Sequence, residues 1–157
     1  MEWRDVDGQQ VEACSSCGFV FWRNPLVATI VLIETDGRLV AGRRAIDPGY
    51  GLWCFPGGFV NEDEHPAAAA VRECQEEVKA AIEISELLGV YHVIRGDGRG
   101  MVAIAFEARL RDGEAPATGH EMLEVATFAP GELPDLAFTT HRQALADWKQ
   151  RRVSQLS

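Results

Sequence analysis

The chain has 157 residues, 46% of them hydrophobic and 25% charged, with a formal net charge of -9. That length suits one domain with a substantial core, and the composition excludes a fibrous repeat or a globally disordered chain. The acidity excludes a surface built for non-specific binding to nucleic-acid phosphates or anionic membranes, whereas a small anionic substrate remains compatible if a bound cation supplies positive charge.

Residues 1–5 lack a signal-peptide pattern and no apolar run approaches the ~20 residues that span a bilayer, so a cytoplasmic location is expected. Residues 1–25 read as a distinct lead-in that carries Cys14, Cys17 and Gly18 in a knuckle-like spacing, followed by Phe19, Phe21 and Trp22. Asn24 and Pro25 end it with a turn signal. Residues 27–33 are almost continuously apolar and β-branched, the pattern of a buried strand. Asp36 and Gly37 predict a hairpin turn, and residues 38–42 the returning strand.

Residues 45–51 form a loop that leads into a short strand at 52–55, which Pro56, Gly57 and Gly58 break. A helix follows, with Pro66 in its first turn, where a missing N–H costs little. Its apolar residues Ala67, Ala70, Val71, Cys74 and Val78 predict one buried face. Strands are expected at 82–94 and 101–110, joined by a glycine-rich loop, and a last strand at 125–128. Thr139 or Thr140 can cap a terminal helix in which Leu145 and Trp148 share a face. The alternation of hairpins with one early strand-helix-strand crossover predicts an α/β fold with a mixed β-sheet and helices on its faces.

On the central helix, Glu73, Glu76 and Glu77 are three and four residues apart and emerge on one side, where like charges repel. An acidic stripe is most often a solvated face. Here the neighbouring residues argue otherwise. Clustered carboxylates are how a protein offers hard oxygen ligands to Mg2+ beside substrate phosphates. Arg72 can orient Glu73 through a charge-assisted hydrogen bond, and Gly57 and Gly58 let backbone carbonyls approach a metal.

Gly58, five residues, Glu64, seven residues, then Arg72, Glu73, Cys74, Gln75, Glu76 and Glu77 resembles the signature of the Nudix hydrolases. The resemblance extends over about residues 26–148 and implies a Nudix-like α/β/α sandwich over 26–157, preceded by an extension over 1–25. It implies Mg2+, or Mn2+ in its place, held by Glu73, Glu76 and Glu77 with a Gly57 or Gly58 carbonyl. Glu64 would brace the loop or hold a metal through water, Arg72 would orient the glutamates, and Glu73 or Glu77 would assist proton removal from the attacking water. A further acid is expected from a loop before the last strand, with Glu121 the first candidate and Glu124 the second. Three positions depart from the family pattern. Lys79 replaces a glycine, so the helix should either run about a turn further or end in a strained left-handed cap. His65 stands at the usual Ser or Thr cap, and Cys74 at a bulky aliphatic position.

The implied reaction is hydrolysis of a diphosphate bond in a nucleoside diphosphate linked to another moiety, with ADP-ribose or a dinucleotide as first guess. The alternatives are a Nudix-fold module that senses nucleotide without cleaving it, and isoprenoid diphosphate isomerisation with Cys54 as acid. Arg43, Arg44 and Trp53 are the candidate substrate contacts, with Arg95 and Arg99 further off. Cys14 and Cys17 resemble half of a zinc ribbon. Structural zinc takes four ligands, so zinc is not expected in a single chain, although a homodimer pairing two knuckles stays open. Cys54 and Cys74 should pack as small apolar residues, and His92, His120 and His141 should be structural or exposed.

Overall fold

In the computed structural model, which describes residues 1–156, the N-terminal segment is itself a small sheet. Strands β1 (Glu2–Val6), β2 (Gln9–Ala13) and β3 (Val20–Phe21) pair antiparallel in that order. The sequence marks these residues only as a lead-in because β1 exposes four of its five positions and so shows no apolar alternation. The missed signal is Asp7 and Gly8, whose φ angles of 52° and 80° match a two-residue hairpin turn. Asp36 and Gly37, at 50° and 73°, make the same turn where it was expected.

The remaining elements are β4 (Leu26–Thr35), β5 (Arg38–Arg44), β6 (Trp53–Cys54), α1 (Pro66–Val78), β7 (Ile82–Ile94), β8 (Gly100–Leu110), β9 (Met122–Phe128) and α2 (Thr139–Gln155). They build a six-stranded sheet in the order β6-β5-β4-β8-β7, with β9 added on β5. The sheet is mixed as expected, because β4 and β8 run parallel while the other pairs are antiparallel. Alternation along β4 sets the layers. Val31 and Ile33 face α1 through Ala70, Cys74 and Val78, whereas Ile30 and Leu32 face α2 through Ala144 and Trp148. The result is an α/β/α sandwich. All four of these β4 side chains are at most 1% exposed, and each contributes roughly 1.5–3 kcal/mol of burial.

The sheet splits at one place, and the split positions the site. β4 and β5 pair only beside their turn, at Glu34 with Leu39 and Thr35 with Arg38. Beyond it the segment 56–60 takes the place of β5 along β4. Val31 N donates to Pro56 O at 2.8 Å, Thr29 N to Gly58 O at 2.8 Å, and Val60 N to Val27 O at 2.9 Å. Gly57, at φ 147°, presses so closely on β4 that a Cβ there would lie 2.1 Å from Thr29 O. Only glycine fits both the angle and the space.

Helix α1 starts at His65, whose Nδ1 accepts from Ala67 N at 3.1 Å in place of a hydroxyl cap, with Pro66 following. Its buried residues are Ala69, Ala70, Cys74, Glu77 and Val78. This corrects the expected apolar face, since Val71 is exposed and a glutamate occupies the stripe. Helix α2 is capped by Phe138 without a side-chain bond, not by Thr139 or Thr140. Arg142 instead ties the start of α2, donating to Thr139 Oγ1 and to Leu136 O. The last strand begins at Met122, three residues before the expected start. No helix among the described residues is long and apolar enough to cross a membrane.

Of the two outcomes open for Lys79, the strained cap is the one observed: α1 ends at Val78 and Lys79 is left-handed, with φ 54° and ψ 29°. The Lys79→Gly variant should therefore be more stable by about 0.5–1 kcal/mol, because Cβ strain is released against some gain in unfolded-chain entropy. Thermal unfolding checks this, as a rise of about 1–4 °C.

Candidate active site

Arg72 organises one half of the site. Its Nε and Nη2 donate to Glu64 Oε1 and Oε2 at 2.8 and 3.0 Å, a fork that holds the carboxylate by both oxygens. Nη1 donates to Glu73 Oε1 at 2.7 Å and approaches Glu76 Oε2 at 3.5 Å, while Nη2 also reaches Phe59 O at 3.1 Å. Glu64 in turn accepts from Asn61 N at 3.2 Å. The guanidinium thus staples the 59–64 loop to α1, and the Arg72 bond holds the Glu64 carboxyl below its ordinary range. Glu73 is pushed the other way by burial, which the Arg72 bond only partly offsets.

Glu77 organises the other half. Only 6% exposed, it accepts from Gly57 N at 2.9 Å and so joins α1 to the inserted 56–60 segment. Burial raises its pKa to about 8 against the Gly57 bond, with Glu73 and Glu121 pushing the same way and Arg44 opposing. Glu121 stands at φ 61° immediately before β9, and its charge also reaches Glu73. Glu124 enters neither environment, which favours Glu121 of the two candidate acids. Gly58 faces Glu73 so closely that a Cβ would lie 2.5 Å from the carboxyl carbon.

The structure therefore brings Glu64, Arg72, Glu73, Glu76, Glu77, Glu121, Gly57 and Gly58 together. It does not bring Arg43, Arg44 and Trp53 into that cluster as direct contacts. Arg43 Nε donates to Gly51 O at 3.0 Å and Arg44 Nε to Pro48 O at 2.7 Å, so both are engaged with the 45–51 loop. The Arg44 guanidinium also lies 4.8 Å from the centre of the Phe138 ring, and its field still reaches Glu77. Trp53 packs edge-on against Phe128 with ring centres 4.9 Å apart. Cys54 and Cys74 are buried with their thiols pushed up by desolvation, Cys54 to about 11.

His141 has a part that its position alone did not reveal. Its Nδ1 accepts from Phe55 N at 3.1 Å, one residue before Pro56. Burial, with Arg44 and Arg142 nearby, lowers its pKa to about 3 and keeps the ring a neutral acceptor. Thr29 and Gly119 were likewise missed. Thr29 lies under the glycine pair, and Gly119 against the end of α1. Nothing in the sequence marks either, because both act through contacts between distant segments, Thr29 through its hydroxyl as well as its backbone and Gly119 through its backbone.

As a metal site, the donors are all oxygen, the class that Mg2+ prefers. Among the described residues no three His, Cys, Asp or Glu side chains close on one point. Each acid has an interim partner instead: Glu73 and Glu76 face Arg72, and Glu77 faces the Gly57 amide. Two crowded carboxyls whose charge is raised in cost by burial fit a cation, which would relieve both. Cys14 and Cys17 sit apart from this cluster in a turn closed by Gly18 N to Cys14 O at 2.9 Å and Cys14 N to Phe19 O at 2.8 Å. Both are free thiols, and Cys14 lies 3.0 Å from Ser16 Oγ, the contact that contributes most to lowering its pKa to about 6.

A NUDIX domain is matched over residues 23–149. An ADP-ribose pyrophosphatase from Methanocaldococcus jannaschii is 35% identical over 126 residues, covering 80% of this chain and 73% of that one. A putative 8-oxo-dGTP diphosphatase from Bacillus subtilis is 30% identical, with 76% of each chain covered. The crystal structure of a NUDIX hydrolase from Nitrosomonas europaea superposes with a TM-score of 0.81 at 32% identity, covering 92% of this chain and 82% of that one.

The buried Glu77 carboxyl sets a pH dependence in metal-free protein. Its folded pKa of about 8 lies above the ordinary 4.5, so the folded state retains a proton that the unfolded chain has released, and stability falls as pH rises through that window. Glu77→Gln removes this term. Chemical denaturation in a chelator should show the variant gaining on the parent between pH 5 and pH 8 by an amount on the order of a few kcal/mol. A second expectation concerns space. Gly58→Ala should displace the Glu73 carboxylate and lower kcat roughly 10- to 100-fold while circular dichroism stays unchanged.

Proposed function

The chain belongs to the Nudix family and is a pyrophosphohydrolase, and from that premise we propose that it uses Mg2+ to hydrolyse a nucleoside diphosphate linked to another moiety. ADP-ribose is the first substrate to test, supported by the name of the Methanocaldococcus relative, and a dinucleotide is the second. The observation that carries this reading is the placement of Glu73, Glu76 and Glu77 on one helix, with Arg72 holding Glu73 and Glu76, Gly57 N bonded to Glu77, Gly58 pressed against Glu73, and the Glu121 charge reaching Glu73 and Glu77.

In this reading Glu73, Glu76 and Glu77 would hold the cation together with the Gly57 carbonyl, because Gly58 O already accepts from Thr29 N at 2.8 Å. A bound Mg2+ would neutralise diphosphate charge and lower the pKa of the attacking water. Arg72 keeps Glu73 and Glu76 oriented while Glu64 anchors the guanidinium. A carboxylate oxygen of Glu77 or Glu73 takes the proton as the water oxygen bonds to phosphorus. The bridging P–O bond then breaks, leaving a nucleoside monophosphate and a phosphorylated partner. Glu121, whose charge reaches both Glu73 and Glu77, would be the further acid. Arg43 and Arg44 tie down the 45–51 loop, and that loop, with Trp53 beside it, is where selection among substrates would act.

Purified protein with Mg2+ and a panel of nucleoside diphosphate derivatives, beside Glu76→Gln and Glu77→Gln, tests this directly. Each substitution should lower kcat by about 10²- to 10³-fold, the scale of lost electrostatic stabilisation at a charged transition state. Cleavage that survives both would sink the carboxylate mechanism. Tight nucleotide binding without turnover by the parent protein would replace it with a sensing role.

A further inference from the structure

Helix α1 ends against the backbone of a distant segment. The last carbonyls of a helix have no intrahelical partner. Here Glu76 O accepts from His120 N at 2.7 Å, Glu77 O from Gly119 N at 2.9 Å, and Val78 O from Ala117 N at 2.8 Å. Ala81 N donates to Glu114 Oε2 at 3.0 Å, so the 114–120 segment is bonded to the end of α1 and to the residues just past it.

The middle of this clamp tolerates no side chain. A Cβ at Gly119 would lie 2.2 Å from Glu76 O and 2.6 Å from Glu77 O. Those are backbone atoms of the helix that carries the acids, and they cannot swing aside as a flexible side chain would. Two residues on, Glu121 takes φ 61°, and its carbonyl accepts from Ala45 N at 2.8 Å. The short span from Gly119 to Glu121 therefore runs between two fixed points, the end of α1 and the end of β5.

We propose that Gly119 is a positioning residue: by letting the 117–120 backbone bond the end of α1, it fixes the Glu121 carboxylate relative to Glu73, Glu76 and Glu77. The inference rests on the reading above that Glu121 belongs to the active site. It assigns the work of an absent side chain, and it explains how a residue in a polar loop can hold a catalytic register.

The test is a double-substitution cycle on kcat and KM, with Gly119→Ala and Glu121→Gln made singly and together, and Thr118→Ala as a control on the exposed neighbouring position. Gly119→Ala should lower kcat about 10- to 100-fold with KM changed less than about threefold, since a displacement near 1 Å carries that order of loss. On the Glu121→Gln background the same substitution should cost less than about threefold. Multiplicative losses overturn the inference alone, because Gly119 would then act through something other than Glu121. A Glu121→Gln variant with parental kcat removes the active-site reading of Glu121, and the inference with it. Should Gly119→Ala not fold, Glu114→Ala loosens the same clamp through a side chain. Its smaller loss, about two- to fivefold, should likewise vanish on the Glu121→Gln background, and persistence there overturns the proposal.

Discussion

The bond from Gly57 N to a buried Glu77 carboxyl is the constraint from which the rest of the site follows. It joins the helix that carries the acids to the segment that replaces β5 along β4. A single neutral donor does not compensate a carboxylate taken out of water, so Glu77 stays protonated to about pH 8 while no cation is near. The protein holds an acid where its charge is unwelcome, and a cation bound there, as proposed, would have to displace that proton. Affinity for the metal would thereby be linked to pH and to the stability of the sheet split.

The helix that carries this acid is held from two stretches far apart in sequence, 56–64 and 114–121, by three different physical means. The 56–60 segment arrives through β-type bonds to β4, which demand glycine at 57. The 59–64 loop arrives through the Arg72 fork on Glu64, a charged tie that is specific in direction as well as in partner. The 114–121 segment arrives through the free carbonyls at the end of α1, which demand glycine at 119. That external capping also clarifies Lys79. Carbonyls that a glycine-ended helix would satisfy within its own turn are met here by residues 117–120, so the left-handed strain at Lys79 is tolerated by a neighbourhood already fixed.

Much of this was legible in the sequence wherever periodicity or a fixed offset encodes the contact. The β4 run announces a strand buried on both faces, the spacing of Glu73, Glu76 and Glu77 places them on one side of a helix, and the Asp36 and Gly37 turn selects a hairpin. Strands β1 and β2 escaped because a small, mostly exposed sheet carries no apolar period, and only Asp7 and Gly8 mark it. Val71 was misplaced because the buried stripe was drawn from apolar residues alone, whereas Glu77 fills part of it. Gly119, Thr29 and the His141 bond to Phe55 are contacts between segments that local patterns do not encode. Arg43 and Arg44 show a contact the sequence did not encode: each Nε donates to a main-chain carbonyl of the adjacent 45–51 loop.

The charge balance explains why such a site takes an anionic substrate at all. A chain of net charge -9 that gathers four glutamates should repel a diphosphate. The two guanidiniums whose fields act on Glu73 and Glu77 are Arg72 and Arg44, and both are already engaged, one with Glu64 and Glu73 and the other with Pro48 O. Their arrangement orients the acids and ties down the 45–51 loop; it does not supply a positive face for phosphate. A divalent cation on the carboxylates, as proposed, would reverse the local sign, so the same groups that repel the substrate would become the means of binding it. Metal occupancy would then precede productive substrate binding for an electrostatic reason, and the arginines would be left to geometry.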